Sequence, residues 1–250
     1  MARILLVHGA FGSAALWQRV VPRLADLGHD AEAIDLPGSG KDPTPAAEVT
    51  LDRYAERACE ALSAGPPAVL VGHSMGGMVI TQAAARCPEH VARLVYVAAF
   101  LPANGQSLID LTKLPEATGD QVQANLVVEG DVATMPPEAA RWAIMHCADD
   151  EQAAWANARR GPQPLAPFAD PVRLDGPGQA AFAALPRAYV MCLQDRAVRP
   201  ALQRLMIETA GCDPVIEIDT DHCPHISRVD ELVAALDRLA AGAPASAPAA

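Results

Sequence analysis

An apolar run, Ala68-Val69-Leu70-Val71, reaches a second apolar stretch, Met78-Val79-Ile80-Thr81, through only six residues: Gly72-His73-Ser74-Met75-Gly76-Gly77. The first stretch is β-branched and short, as strands are, and the second continues with helical character to Arg86. A strand that turns so abruptly into a helix makes a tight elbow. Gly72 and Gly76 lack the Cβ atoms that would clash inside it. The elbow lifts the Ser74 side chain off the C-terminal edge of a sheet and beside a helix N-terminus, whose free N–H groups favour negative charge.

The same strand–helix rhythm extends along most of the chain. Arg3–Val7, Ala31–Leu36, Ala68–Gly72, Val91–Ala98, Arg187–Leu193 and Pro214–Ile218 read as strands. Ala14–Leu27, Leu51–Ser63, Met75–Arg86, Pro200–Thr209 and Val229–Ala240 read as helices. Their alternation predicts an α/β fold, a roughly six-stranded parallel sheet with helices on both faces. Between residues 101 and 185 the rhythm stops, in a stretch rich in Pro, Gly and Ala. It is too long for a plain loop and is expected to be an inserted, mostly helical cap, with helices at Ala139–His146 and Asp150–Arg159. The core then comprises 1–100 and 186–240, and the Ala/Pro/Gly/Ser tail 241–250 is expected to be disordered. The 250 residues, 51% of them apolar, suit a single core.

Charge and composition exclude several functions. A net charge of −11 repels phosphate backbones, so no nucleic-acid partner is expected. No run approaches the roughly 20 apolar residues of a membrane span. The short N-terminal Met1–Val7 run leads straight into His8 and Gly9, and reads as a first strand, not a secretion signal. Six scattered cysteines with no CxxC pair predict free thiols in a cytoplasmic protein, without a zinc site or disulfide framework. Neither phosphate-binding glycine motif is present, no His/Asp/Glu cluster has metal-ligand spacing, and no arginine cluster marks an anion pocket. The expected cofactor and metal complement is therefore none.

The elbow matches G-x-S-x-G, so Ser74 is the candidate nucleophile. A serine attacking a carbonyl needs N–H donors for the oxyanion. Met75, next in the chain, supplies one candidate. Ala10, in the loop His8-Gly9-Ala10-Phe11-Gly12 after the first strand, supplies the other. The base is sought among seven histidines. His222 lies between the last strand and last helix, on the edge that carries Ser74, and is preferred to His225, which lies nearer the helix. Asp195, after the strand ending at Leu193, is preferred as the orienting acid to Asp219 and Asp221, which are too close to His222 along the chain. His8 is expected to be a structural hydrogen-bonding residue.

Taken together, these residues resemble the plant methylesterase and hydroxynitrile lyase family of α/β-hydrolases and its bacterial carboxylesterase relatives. The resemblance is carried by Val7-His8-Gly9-Ala10-Phe11-Gly12 with Trp17, Leu27-Gly28-His29, and Asp35-Leu36-Pro37-Gly38-Ser39-Gly40. It continues in Gly72-His73-Ser74-Met75-Gly76-Gly77, Ala99-Phe100-Leu101-Pro102 and Asp221-His222-Cys223. It implies a cofactor-free hydrolase with a Ser74–His222–Asp195 triad, oxyanion donors Ala10 and Met75, and a cap over an apolar pocket. It also implies a homodimer, as such proteins often form. The lyase branch carries a Thr after the first-loop His and a Lys after the catalytic His. Here these positions are Gly9 and Cys223, which favours a carboxylesterase over a cyanohydrin or carbon–carbon lyase, while the intact Ser74, His222 and Asp195 argue against a non-catalytic receptor. Phe11, Phe100, Leu101, Leu126, Met135, Trp142, Met145 and Phe168 are the expected pocket walls, suited to small apolar or aromatic esters.

Overall fold

The computed structural model of the chain describes residues 1–176 and 178–242. The elements run β1 (Arg3–Val7), α1 (Val21–Asp26), β2 (Asp30–Ile34), α2 (Leu51–Ser63), β3 (Ala68–His73), α3 (Gly76–Arg86) and β4 (Val91–Val97). A long insertion follows with α4 (Leu108–Thr112), β5 (Val127–Glu129), β6 (Val132–Thr134), α5 (Pro137–Ile144), α6 (Asp150–Asn157), β7 (Gln163–Pro164), α7 (Ala166–Ala169) and α8 (Gln179–Ala184). The chain then resumes with β8 (Arg187–Cys192), α9 (Pro200–Ala210), β9 (Val215–Ile218), α10 (Pro224–Ser227) and α11 (Val229–Ala241). Of the expected disordered tail, Ala241 closes α11, Gly242 follows it, and the remainder lies outside the described residues.

Six strands form one parallel sheet in the order β2-β1-β3-β4-β8-β9. Period-two alternation explains why both of its faces are buried. Leu5, Val7 and Leu70 pack with Tyr54, Ala58, Val79 and Ile80 of α2 and α3 on one face. Ile4, Leu6, Val69 and Val71 pack with Trp17, Leu24, Leu236 and Leu239 on the other. Each such side chain, fully withdrawn from water, stabilises the fold by about 1.5–3 kcal/mol.

Two expectations need correction, and a third, the mostly helical insertion, gains a small sheet. The helix expected over Ala14–Leu27 is instead a 3-10 turn, Ala14–Trp17, followed by α1. Pro22 has no N–H to donate, so it is accommodated in the first turn of a new helix and not inside a longer one. The insertion is not only helical: β5, β6 and β7 form a three-stranded antiparallel sheet. Strands of two or three residues are too short to leave an alternation signal in sequence. The hairpin between β5 and β6 turns through Gly130, at φ 58°. Finally, the cysteines are not all free, because Cys59 and Cys87 form a disulfide. The side-by-side packing of α2 and α3 brings their Cα atoms within 6.2 Å, a proximity that a separation of 28 residues does not reveal. Cys147, Cys192, Cys212 and Cys223 remain as thiols. The pairing removes the support that scattered thiols lent to a cytoplasmic location. Among the described residues no helix is long and apolar enough to cross a membrane.

Candidate active site

Ser74 sits at the turn from β3 into α3 with φ 54°, a left-handed conformation that costs energy for a residue with a side chain. The elbow is held from both sides. Ser74 N–H donates to Val97 O at 3.2 Å, and Ser74 O accepts from Gly77 N at 3.0 Å and Phe100 N at 3.1 Å. A Cβ on Gly72 would lie 2.6 Å from Gly76 O, so the turn closes only with glycine there. The loop after β1 presses on the same elbow. A Cβ on Gly9 would stand 2.8 Å from Ser74 Cβ, which brings the neighbouring Ala10 backbone against the serine. Met75 caps α3, where the first N–H groups have no intrahelical partner.

Asp195 follows β8 and is fully buried. Its Oδ1 accepts from the N–H groups of Ala197 at 2.7 Å and Val198 at 2.9 Å. Its Oδ2 accepts from Gln203 Nε2 at 3.1 Å and pairs with His222 Nδ1 at 2.8 Å. His222 comes from the loop between β9 and α10. With Nδ1 engaged by the carboxylate, Nε2 is the nitrogen left for a serine hydroxyl. Ser74, His222, Ala10 and Met75 all border one cavity of about 420 Å³.

Three further histidines surround this arrangement in neutral form. His8 donates from Nδ1 to Gly9 O at 2.8 Å and accepts Leu36 N–H on Nε2 at 3.2 Å, so both nitrogens are used without a positive charge. His73 Nε2 donates to the backbone carbonyl of His222 at 2.8 Å, bracing the loop that carries the imidazole. Burial, then the neighbouring His225 and His222, hold His73 well below the ordinary histidine range. His225 packs on Trp17, ring centroids 4.8 Å apart, and burial, with His222 next, pushes it down to about 3. A group so reluctant to accept a proton is a poor general base.

This geometry has counterparts in known proteins. The model of the Alpha/beta hydrolase family matches residues 4–235. Methylesterase 7 of Arabidopsis thaliana is 30% identical over 252 residues, with 95% of this chain and 96% of that protein covered. Putative methylesterase 13, chloroplastic, of the same plant is 28% identical over 92% of this chain, which spans only 54% of that protein's length. The crystal structure of a pyrethroid hydrolase from Sphingobium faniae JZ-2 superposes with a TM-score of 0.83 at 26% identity, covering 96% of this chain and 98% of that one. This chain belongs to the α/β-hydrolase family.

Most of the expected walls of this α/β-hydrolase line the cavity: Phe11, Phe100, Leu126, Met135, Met145 and Phe168. Trp142 does not. It is 57% exposed and stacks under the Arg196 guanidinium at 4.1 Å. Helix α5 turns Ala140, Ala143 and Ile144 inward, and at 100° per residue position 142 must face out. Ile144 takes the wall position on that helix. Leu101 borders a different cavity, which Leu205, Met206 and Ala210 of α9 also line.

Two supporting residues were not anticipated. Gln203, on α9, is fully buried, and besides Asp195 it serves Val198 O at 2.7 Å and Cys192 N–H at 3.2 Å. Its signal was a polar residue on the apolar face of a helix, between Leu202 and Met206. Asp221 is also fully buried. It accepts from Cys147 N at 2.6 Å, Cys223 N at 3.1 Å and Ser227 Oγ at 2.8 Å, tying the insertion to the loop of His222. This use of Asp221 is available only because the insertion folds back onto that loop.

Proposed function

We propose that the chain hydrolyses small apolar or aromatic esters through an acyl-enzyme on Ser74, with His222 as general base and Asp195 as its orienting acid. The chain is a carboxylic ester hydrolase, in keeping with its family and its methylesterase relatives. The single observation that carries the finer reading is the buried 2.8 Å pair of His222 Nδ1 with Asp195 Oδ2 beside the cavity that Ser74 borders. That pair fixes the tautomer in which Nε2 can take a proton, and it stabilises the imidazolium that forms.

In the first half of the cycle His222 takes the Ser74 proton as Ser74 Oγ bonds to the ester carbonyl carbon. The carbonyl oxygen becomes an oxyanion facing the Ala10 and Met75 N–H groups. Each donor of this kind is worth roughly 3–4 kcal/mol. The C–O bond to the alcohol then breaks, and His222 gives its proton to the leaving oxygen. Water repeats the steps to release the acid and restore Ser74. The segment 101–185 acts as a cap that supplies apolar walls and excludes bulk water. The working state is read as a homodimer, as the family resemblance implies.

A fluorophosphonate probe tests the nucleophile. It is expected to label Ser74 in the folded enzyme, and Ser74→Ala is expected to lose both the label and about 10⁴-fold or more in kcat while its melting curve is unchanged. Full ester turnover by a clean S74A preparation would refute the assignment. Assay of a mandelonitrile-type substrate in parallel separates the lyase reading, for which cyanide release would have to match ester cleavage.

A further inference from the structure

The cavity at Ser74 is mostly apolar in its walls but not neutral in charge. Lys113, Asp120 and Arg160 border it, two cations against one carboxylate. Burial raises the Asp120 carboxyl above its ordinary range, which weakens the one negative contribution. A positive lining on a chain of net charge −11 runs against the charge of the whole molecule.

The two cations are not equivalent. Lys113 is exposed, so water screens it. Arg160 is half-buried, just after α6 and beside the oxyanion loop. Its guanidinium carbon is 5.7 Å from the Phe11 ring centroid, and the next residue, Gly161, donates its N–H to Phe11 O at 3.0 Å. Its protein partners are neutral acceptors: Asn157 Oδ1 at 2.9 Å and Met135 O at 3.2 Å. Its Nε is buried without a hydrogen-bond partner. Among the described residues Arg160 takes part in no ion pair. Withdrawn charges are normally paired, and an unpaired donor on a guanidinium is costly. The protein tolerates both at the edge of its reaction cavity, where a ligand can complete them. A guanidinium's fork matches a carboxylate in particular.

We propose that Arg160 is a substrate-recognition residue and that the preferred ester is a monoester of a dicarboxylic acid, its free carboxylate bound by Arg160 while Ser74 attacks the ester carbonyl. This rests on the ester-hydrolase reading and refines its apolar substrate class: the methylenes between the two carboxyl groups lie on the apolar walls, and the anion answers the one half-buried cation. The product is then a dicarboxylate, and the reaction that supplies the substrate is the esterification of one end of a diacid.

The test compares monomethyl esters of succinate, glutarate and adipate with methyl hexanoate, on the wild type, R160M, R160K and K113M. For the best-fitting diacid the wild type is expected to favour the anionic ester by about tenfold or more in kcat/KM, the scale of one charge-assisted hydrogen bond. That ratio is expected to collapse towards one in R160M, mainly through KM, to survive in part in R160K, and to move less in K113M. A wild-type preference for methyl hexanoate, or a ratio unmoved in folded R160M, would overturn the proposal while leaving the esterase reading intact. If R160M fails to fold, the partial loss in R160K carries the same decision. If no ester is cleaved the esterase reading fails. Calorimetric titration of wild type and R160K with monomethyl glutarate then decides the recognition claim by itself: tighter binding to the wild type supports it, and equal or absent binding ends it.

Discussion

Asp195 is buried, and among the described residues its carboxylate pairs with no cation other than what His222 becomes, Arg199 reaching only its backbone carbonyl; hydrogen-bond donors sustain the carboxylate instead. Two backbone N–H groups and the Gln203 amide occupy its oxygens at 2.7–3.1 Å. Such donors are already oriented before a proton moves, so no solvent has to reorganise around the carboxylate. Gln203 is thereby a positioning residue that acts through Asp195. Gln203→Leu removes the donor to Oδ2 and strands the buried Cys192 N–H, a loss of about 1–3 kcal/mol. In a chain of this size that corresponds to a fall in Tm of roughly 2–4 °C per kcal/mol. Because the Asp195–His222 pair is loosened, kcat is expected to fall with KM little changed. A lower Tm with unaltered kcat would reduce Gln203 to a packing role.

The elements that meet at the site come from distant parts of the chain, and one side chain holds two of them together. Asp221 links the segment after α5, through Cys147 N–H, to both ends of α10, through Cys223 N–H and Ser227 Oγ. The loop carrying His222 and the insertion lining the cavity are therefore one mechanical unit. Asp221→Ala is expected to speed hydrogen exchange around Cys147 and to lower kcat/KM by roughly ten- to a hundredfold, the scale of a small misplacement of reacting groups. Normal exchange in that segment together with normal activity would show the link to be dispensable. The disulfide between Cys59 of α2 and Cys87 at the C-terminal end of α3 ties a second pair of elements.

At the scale of the whole molecule, the buried histidines make stability depend on pH. Folding lowers His225 to about 3 and His73 well below 6.5, their ordinary value when unfolded. The unfolded chain therefore binds more protons between these limits. Their contribution to stability is intact above pH 6.5 and is lost as pH falls below it, over the window from 6.5 to about 3 for His225 and in the same direction for His73. Denaturant unfolding between pH 7 and 5 is expected to show this slope before most carboxylates titrate. His225→Phe, which keeps a ring against Trp17, is expected to flatten it by one histidine's share. An unchanged slope in H225F would exclude His225 as a source.

Periodicity and local turn chemistry made much of this legible from the chain alone. Alternating apolar runs, each too short for anything but a strand, dictated a parallel sheet with two buried faces. The glycines around Ser74 required an elbow, and chain order nominated Asp195 and His222 at the matching sheet edge. These signals are local, because each is written within about a dozen consecutive residues. What only the tertiary structure decided depends on residues brought together across the chain. Cys59 meets Cys87 because two helices pack side by side. Gln203 and Asp221 acquire their partners from other elements. Trp142 faces water because of the rotation of one helix, and Arg160 stands uncompensated because no carboxylate among the described residues comes within ion-pair distance of it. Proximity of this kind has no period and no spacing, so no reading of one segment at a time could have found it.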